Sequence, residues 1–347
     1  MSTRTLWQDL FGISVEGSLT SGTFSTGEGV TSTKTLLPLT ESAFFKPSSG
    51  YFEYNQTTGK AYRTFQEYTQ TYQGEPVEYT FGVQANAHTL SLVQSLFFQG
   101  GCTQAAGDAD SSYKFTSVPY TSADPSYYAY FMRWLQETVD SDPIDELVEG
   151  GVCNTFTLSG EKGGLITLEV GMQGANFIQG DYSAHQTIEV DAGFDTLAPL
   201  KFQNMTATIA DAGGEGAAIQ VPSFSITVSE TPTWSFYNDT QASNVALGPI
   251  EVNGSISFPW SDSNYGTDSS ITDFMNGQDK EVILSWGDTD ATGYVYVKLN
   301  CFITDYTIGG DNELVVEATL TGVASSDGST PPITIITQYD SATLSRA

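Results

Sequence analysis

The sequence predicts a mainly β protein built from two tandem, similar β-sandwich or half-barrel domains, each with a short flanking helix. Three observations predict it. First, one hairpin is written twice. Cys153 to Gly174 reads CNTFTLSGEKGGLITLEVGMQG, and Cys301 to Gly322 reads CFITDYTIGGDNELVVEATLTG. Cys153, Glu169 and Gly174 fall on Cys301, Glu317 and Gly322 with no gap. Second, the strands alternate with period two: Ile166, Leu168, Val170 and Met172 against Thr167, Glu169, Gly171 and Gln173. The second copy does the same, which gives each strand a dry face and a wet face. Third, 34 glycines, 18 tyrosines and 20 phenylalanines among 347 residues favour strands and turns over long helices.

The elements follow in order. Residues 1–40 read as an N-terminal arm. Leu6, Trp7, Leu10 and Phe11 can pack locally, but EGSLTSGTFSTGEGVTST is polar and rich in breakers. The first domain is placed at 41–185. In it, Val77, Tyr79, Phe81, Val83 and Ala85 alternate with Glu78, Thr80, Gly82 and Gln84. A helix is predicted over AHTLSLVQSLFFQGG, with Leu90, Val93, Leu96 and Phe97 at helical spacing and Gly100–Gly101 as its stop. The second domain is placed at 186–347 and ends in a short tail. Ile250, Val252, Gly254, Ile256 and Phe258 alternate there with Glu251, Asn253, Ser255 and Ser257, so Glu251 is set equivalent to Glu78. A second short helix is predicted over SSITDFMNGQD. The first half is longer, and the extra length is assigned to an insertion around 102–150. Within it YYAYFMRWLQETV reads as a strand because of its aromatic density.

Charge narrows the function. There are 12 Lys and Arg against 41 Asp and Glu, a formal charge of -29. Such a chain gains nothing from counterion release and is expected to repel nucleic acid and anionic membranes. Cys102, Cys153 and Cys301 form neither a CxxC pair nor an even set, so packed, reduced thiols are expected. The N-terminus lacks the apolar core of a signal peptide, and no apolar run spans a bilayer, so no membrane insertion is expected. No GxSxG, Walker loop or HExxH occurs. His88 sits at the predicted helix start, where a surface or capping role is expected. Asp288–Gly293 reads as a turn between strands rather than a calcium loop. Trp234, Trp260 and Trp286 read as packed indoles before sugar platforms. No catalytic residue, metal site or cofactor is assigned.

Open sheets leave unpaired edges, and closure between copies removes them. Two similar domains per chain suit a ring of three chains. The polar strand faces, with Glu78, Glu169, Glu251 and Glu317, would then line an acidic channel. The run GVCNTFTLSGEKGGLITLEVGMQGANF after SLFFQGGCT, with FSITVSETPTWSFYNDT, PIEVNGSISFPW and ELVVEATLTGV, resembles the tail tube proteins of long-tailed bacteriophages. The likeness spans residues 45–325 and is to the two-domain type that forms trimeric rings. It implies inner sheets joined into a continuous barrel, and rings stacked into a hollow tube that passes viral DNA without specific binding. It also implies no catalysis, assembly in the host cytoplasm into the virion tail, and tape measure, terminator and distal tail proteins as partners. The arm, with Trp7, Leu10 and Phe11, would supply contacts between rings. Two alternatives remain: a carbohydrate- or receptor-binding viral sandwich, and a β-rich hydrolase.

Overall fold

Period-two patterning requires extended chain, and β-strands carry this fold. The structure is a computed structural model. It describes residues 9–16, 35–36, 50–54, 68–72, 75–106, 113–119, 122, 124–125, 128–135, 145–180, 198–211, 216–236, 242–259, 277, 279–289, 291, 293–309, 315–325 and 330–339. The first half holds β1 (Asp9–Glu16), β2 (Thr35–Leu36), β3 (Gly50–Tyr54), β4 (Tyr68–Tyr72), β5 (Val77–Gln84), helix α1 (Ala87–Phe98), β6 (Cys102–Ala106), β7 (Tyr113–Ser117), β8 (Tyr128–Leu135), β9 (Asp145–Glu161), β10 (Thr167–Gly174) and β11 (Asn176–Gly180). The second holds β12 (Met205–Asp211), β13 (Ala217–Ile219), β14 (Ser223–Ser229), β15 (Thr233–Ser235), β16 (Asn244–Ala246), β17 (Glu251–Pro259), β18 (Lys280–Trp286), β19 (Val295–Gly309), β20 (Val315–Gly322) and β21 (Ile333–Tyr339).

The repeat extends well beyond the duplicated hairpin. The antiparallel pairs β1–β2, β1–β8, β8–β9, β9–β10, β9–β11 and β5–β10 recur as β12–β13, β12–β18, β18–β19, β19–β20, β19–β21 and β17–β20. The separate hairpin β3–β4 recurs as β15–β16. Thus β1, inside the stretch read as an arm, pairs with β8 along its whole length, as β12 does with β18. YYAYFMRWLQETV supplies β8, as its aromatic density predicts. The hairpin β6–β7 has no counterpart among the described strands of the second half, and it lies in the predicted insertion.

β9 and β19 are long, 17 and 15 residues, and each serves two neighbourhoods. The first half of β9 pairs with β8 and β11, and the rest pairs with β10 and β14. Gly150, with φ +63°, sits at the change-over. That left-handed conformation is costly for any residue with a Cβ.

Two expected equivalences need correction. The gapless match of the two hairpins fails on its first strand. Cys153 opposes Met172, whereas Cys301 opposes Gly322. The turn from Gly309 to Val315 is two residues shorter than that from Ser159 to Thr167, so the second copy is displaced by two. A shift of two keeps every side chain on its face, which is why the pattern hid it. Both ladders bulge on the first strand, at Asn154 and at Thr304, opposite matching steps of the second, Gly171–Met172 and Thr319–Leu320. Glu78 and Glu251 are likewise not counterparts. Glu78 opposes Gln173, whose match Thr321 opposes Asn253, so Glu251 lies two residues away on the same face. The two halves share a hydrophobic cluster. β14 of the second half pairs with β9 of the first, Val228 opposite Phe156 and Ile226 opposite Leu158, and one hydrophobic cluster runs from Phe81 and Phe97 through Phe156 to Phe224 and Trp286.

Helix α1 forms where its spacing predicts. Asn86 caps it: its Oδ1 accepts from the Thr89 N–H (2.8 Å), and Thr89 Oγ1 accepts from the Asn86 N–H (3.0 Å). His88 is therefore not the cap, and it is buried rather than at the surface. Every residue of α1 is buried, because β9, β21, β7 and β6 all pack against it. Its polar groups find partners inside. Ser91 Oγ donates to the His88 carbonyl (2.7 Å), and Thr337 Oγ1 donates to Gln94 Oε1 (3.1 Å). The second predicted helix lies outside the described residues.

Candidate functional site

Seven strands form one continuous antiparallel run in the order β5, β10, β9, β14, β17, β20, β19. Opposed residues point to the same side, so register sorts the two faces. One row reads Gly82, Glu169, Thr157, Thr227, Asn253, Thr321 and Phe302. The next reads Gln84, Thr167, Ser159, Ser225, Ser255, Thr319 and Asp305. Glu251 opposes Ser229, and Glu317 lies between Ser257 and Thr307. All four glutamates singled out from sequence share this face, and all four are exposed. Glu161, opposite Ser223, and Asp305 join them; the alternation through Thr157 and Ser159 could have found Glu161. None of these wet-face residues is Lys or Arg. The opposite face is dry: Phe81, Val170, Phe156, Ile226 and Ile256 belong to the core.

Short side chains tie the wet face together. Thr157 Oγ1 and Thr227 Oγ1 are 3.0 Å apart across the junction between the halves. Ser159 Oγ and Thr167 Oγ1 stand at 2.9 Å. Ser257 Oγ accepts from the Ser223 N–H (2.9 Å) and lies 2.7 Å from Ser223 Oγ. Such ladders hold the surface hydrophilic without long, mobile side chains.

The face is also staggered. Thr167 matches Val315 in the repeat, yet its row meets β20 at Thr319. Four strand steps thus carry a displacement of four residues, one per strand. With a rise of about 3.4 Å per residue and strands about 4.8 Å apart, that corresponds to a tilt of about 35°. Closed barrels use tilts of this size.

Buried carboxyls also lie off this face, Glu230 and Glu149 among them. Glu230 follows β14, and its N–H donates to the Asn154 carbonyl (2.8 Å); burial pushes its carboxyl up to about 8. Burial also raises Glu149, against the opposing effect of the Asn176 amide, which donates to its Oε2 (3.2 Å). Between β18 and β19 the Ala291 N–H donates to the Asp288 carbonyl (2.9 Å), a turn bond. Trp286 is buried in the core, and the half-buried Trp234 donates its indole N–H to Gln173 Oε1 (2.8 Å). Trp260 lies outside the described residues. Among the described residues no three His, Cys, Asp or Glu side chains converge as a metal site, and no helix is long and apolar enough to cross a membrane. Of the residues expected to join rings, Leu10 and Phe11 lie on β1 opposite Trp134 and Arg133, and Trp7 lies outside the described residues.

Comparison with known proteins gives one family. No curated protein matches the chain. A solved structure of the SPP1 tail tube, from solid-state NMR and cryo-EM, is 14% identical over 35% of this chain and 75% of that one. Its TM-score is 0.26, too low to carry an argument. The family model described as phage tail tube protein matches residues 9–324, which takes in β1 through β20. The chain belongs to the phage tail tube protein family.

Proposed function

We propose that this chain is a structural virion protein whose copies form trimeric, pseudo-sixfold rings, stacked as the hollow tube of a phage tail. The seven-strand face lines the bore, and viral DNA passes along it into the host bacterium without specific binding. The observation that carries this reading is that face: continuous across both halves, free of cations, bearing Glu78, Glu169, Glu251 and Glu317, and staggered by one residue per strand. A wall of carboxylates and short hydroxyls repels phosphates within a Debye length, about 8 Å at physiological salt. β10 and its match β20 lie four strand steps apart, so six repeats in three chains give about 24 strands. At the tilt above, the barrel backbone is about 45 Å across.

The role needs no catalytic group and no cofactor. Its partners are other copies of the chain and the tape measure, terminator and distal tail proteins of the same virion. Assembly takes place in the host cytoplasm, and the first residues, with Trp7, Leu10 and Phe11, contribute to contacts between rings. Negative-stain microscopy of the purified chain tests the reading. Hollow tubes with a threefold or pseudo-sixfold projection are expected. Discrete particles at every concentration and salt tried would overturn it.

A further inference from the structure

The last strand serves both halves. By the repeat, β21 matches β11, and it pairs with β19 as β11 pairs with β9. Among the described residues β11 pairs with β9 alone, whereas β21 has a second neighbour in the first half. That neighbour is β7, with Phe115 opposite Thr337 and Ser117 opposite Ile335. The same strand packs on α1, where Thr337 Oγ1 donates to Gln94 Oε1 (3.1 Å). Both residues are wholly buried, and they lie 243 positions apart in the chain. The rest of this face leaves the strand's position open. Ile333 and Ile335 are buried and alternate with the half-buried Thr334 and Ile336, and a slide of two residues keeps that alternation. The slide also rebuilds the backbone ladders, but it breaks the contact with Gln94. In one direction Ile335 takes the place of Thr337 and has no hydrogen to donate. In the other, Tyr339 arrives with its hydroxyl a ring's length further out. A buried amide oxygen stripped of its donor is costly.

We infer that Gln94 and Thr337 are a register lock. Among positions of β21 that differ by two residues, the buried pair selects the one in which the last strand of the chain clasps the helix of the first half. Such a pair acts on specificity: one partner without the other is penalised, while replacing both with apolar groups of like volume costs little stability. The lock therefore answers the ambiguity that period-two patterning leaves in this chain. It also ties the second half to the first at a point far from the β9–β14 junction. The inference concerns the single chain and does not depend on the tube reading.

Disulfide trapping in the full-length chain tests it, on the half-buried face of β21 away from α1. Thr116→Cys with Ile336→Cys joins directly opposed positions and reports the observed register. Thr116→Cys with Thr334→Cys reports the slide, since in the observed register these positions are diagonal and badly placed for a bridge. Each pair is introduced with and without Gln94→Leu plus Thr337→Val, equilibrated in a glutathione buffer, and scored by peptide mass spectrometry. With Gln94 and Thr337 present, the first pair should close and the second should stay open. With both polar groups removed, the closed fraction of the second pair should rise about tenfold while circular dichroism stays that of the parent. Thr337→Val alone should do the same, because Gln94 then lacks a donor in either register, and it keeps the test valid if the double variant folds poorly. Thr337→Ser, which keeps the donor, should trap as the parent does. If the connection from Val323 to Ile333 sets the register instead, the second pair stays open in every chain and the inference fails. It fails equally if that pair closes readily in the parent background, or if Thr337→Ser frees the strand as much as Thr337→Val.

Discussion

Gly174 and Gly322 close matching strands, and each is pressed against a valine of a neighbouring strand. A Cβ at Gly322 would stand 2.6 Å from Val252 Cβ and 3.1 Å from its Cγ1, and a Cβ at Gly174 would overlap Val148 Cγ1. The shared glycine in the duplicated sequence is therefore a packing requirement of each sheet. Gly174→Ala and Gly322→Ala should each destabilise the fold by about 1–3 kcal/mol, the usual range for overpacking. Urea denaturation checks this, and losses below about 0.5 kcal/mol in both would show that the valines simply move aside.

Glu230 should make stability fall as pH rises. Burial holds its carboxyl at about 8 in the folded chain, against an ordinary value of 4.5. Below pH 4.5 it is neutral in both states and costs nothing. Between 4.5 and 8 the unfolded chain releases this proton and the folded chain keeps it, so folding loses ground; above 8 the loss is complete. Glu230→Gln removes the difference. The variant should match the parent near pH 4 and exceed it by up to about 5 kcal/mol near pH 8.5, given about 1.4 kcal/mol per pKa unit. Chemical denaturation at the two pH values decides it, and a gain equal at both would refute the assignment.

The strands were legible because alternation is local. Val77–Gln84, Glu251–Pro259 and both strands of each duplicated hairpin lie where period two puts them. Face was legible for the same reason, and Glu78, Glu169, Glu251 and Glu317 do share one. Register was not, because a displacement of two residues leaves the alternation unchanged; hence Cys153 and Cys301, and Glu78 and Glu251, looked equivalent and are not. Long-range pairing was hidden as well. Nothing near Asp9 announces β8 as its partner, and nothing near Ser223 announces β9. His88 was misplaced because the strands that pack against α1 include the distant β21.

The thiols of Cys153 and Cys301 should be silent in the native protein. Burial raises both; it pushes Cys301 up to about 12, and Cys153 rises too although its thiol donates to the Thr155 carbonyl (3.6 Å). Only the thiolate reacts, and at pH 8 neither residue supplies it. Alkylation followed by peptide mass spectrometry should find both unlabelled in the folded chain and both labelled in denaturant. Rapid labelling of either without denaturant would place it at an accessible surface.

The wet face should tolerate charge reversal as structure and fail as a conduit. Glu78, Glu169, Glu251 and Glu317 are exposed, so replacing all four with lysine should leave the fold within about 0.5 kcal/mol per site of the parent. In assembled tubes the same change places rings of ammonium groups along the proposed bore. A DNA duplex then gains counterion release on contact, a gain that weakens steeply between about 50 and 200 mM salt. Short duplexes should therefore sediment with the variant tubes at low salt and leave them as salt rises, while parent tubes retain none. Phage carrying the variant should build tails of normal length and eject DNA more slowly. Variant tubes that bind no duplex at low salt would mean that these four side chains do not face a space that DNA can enter.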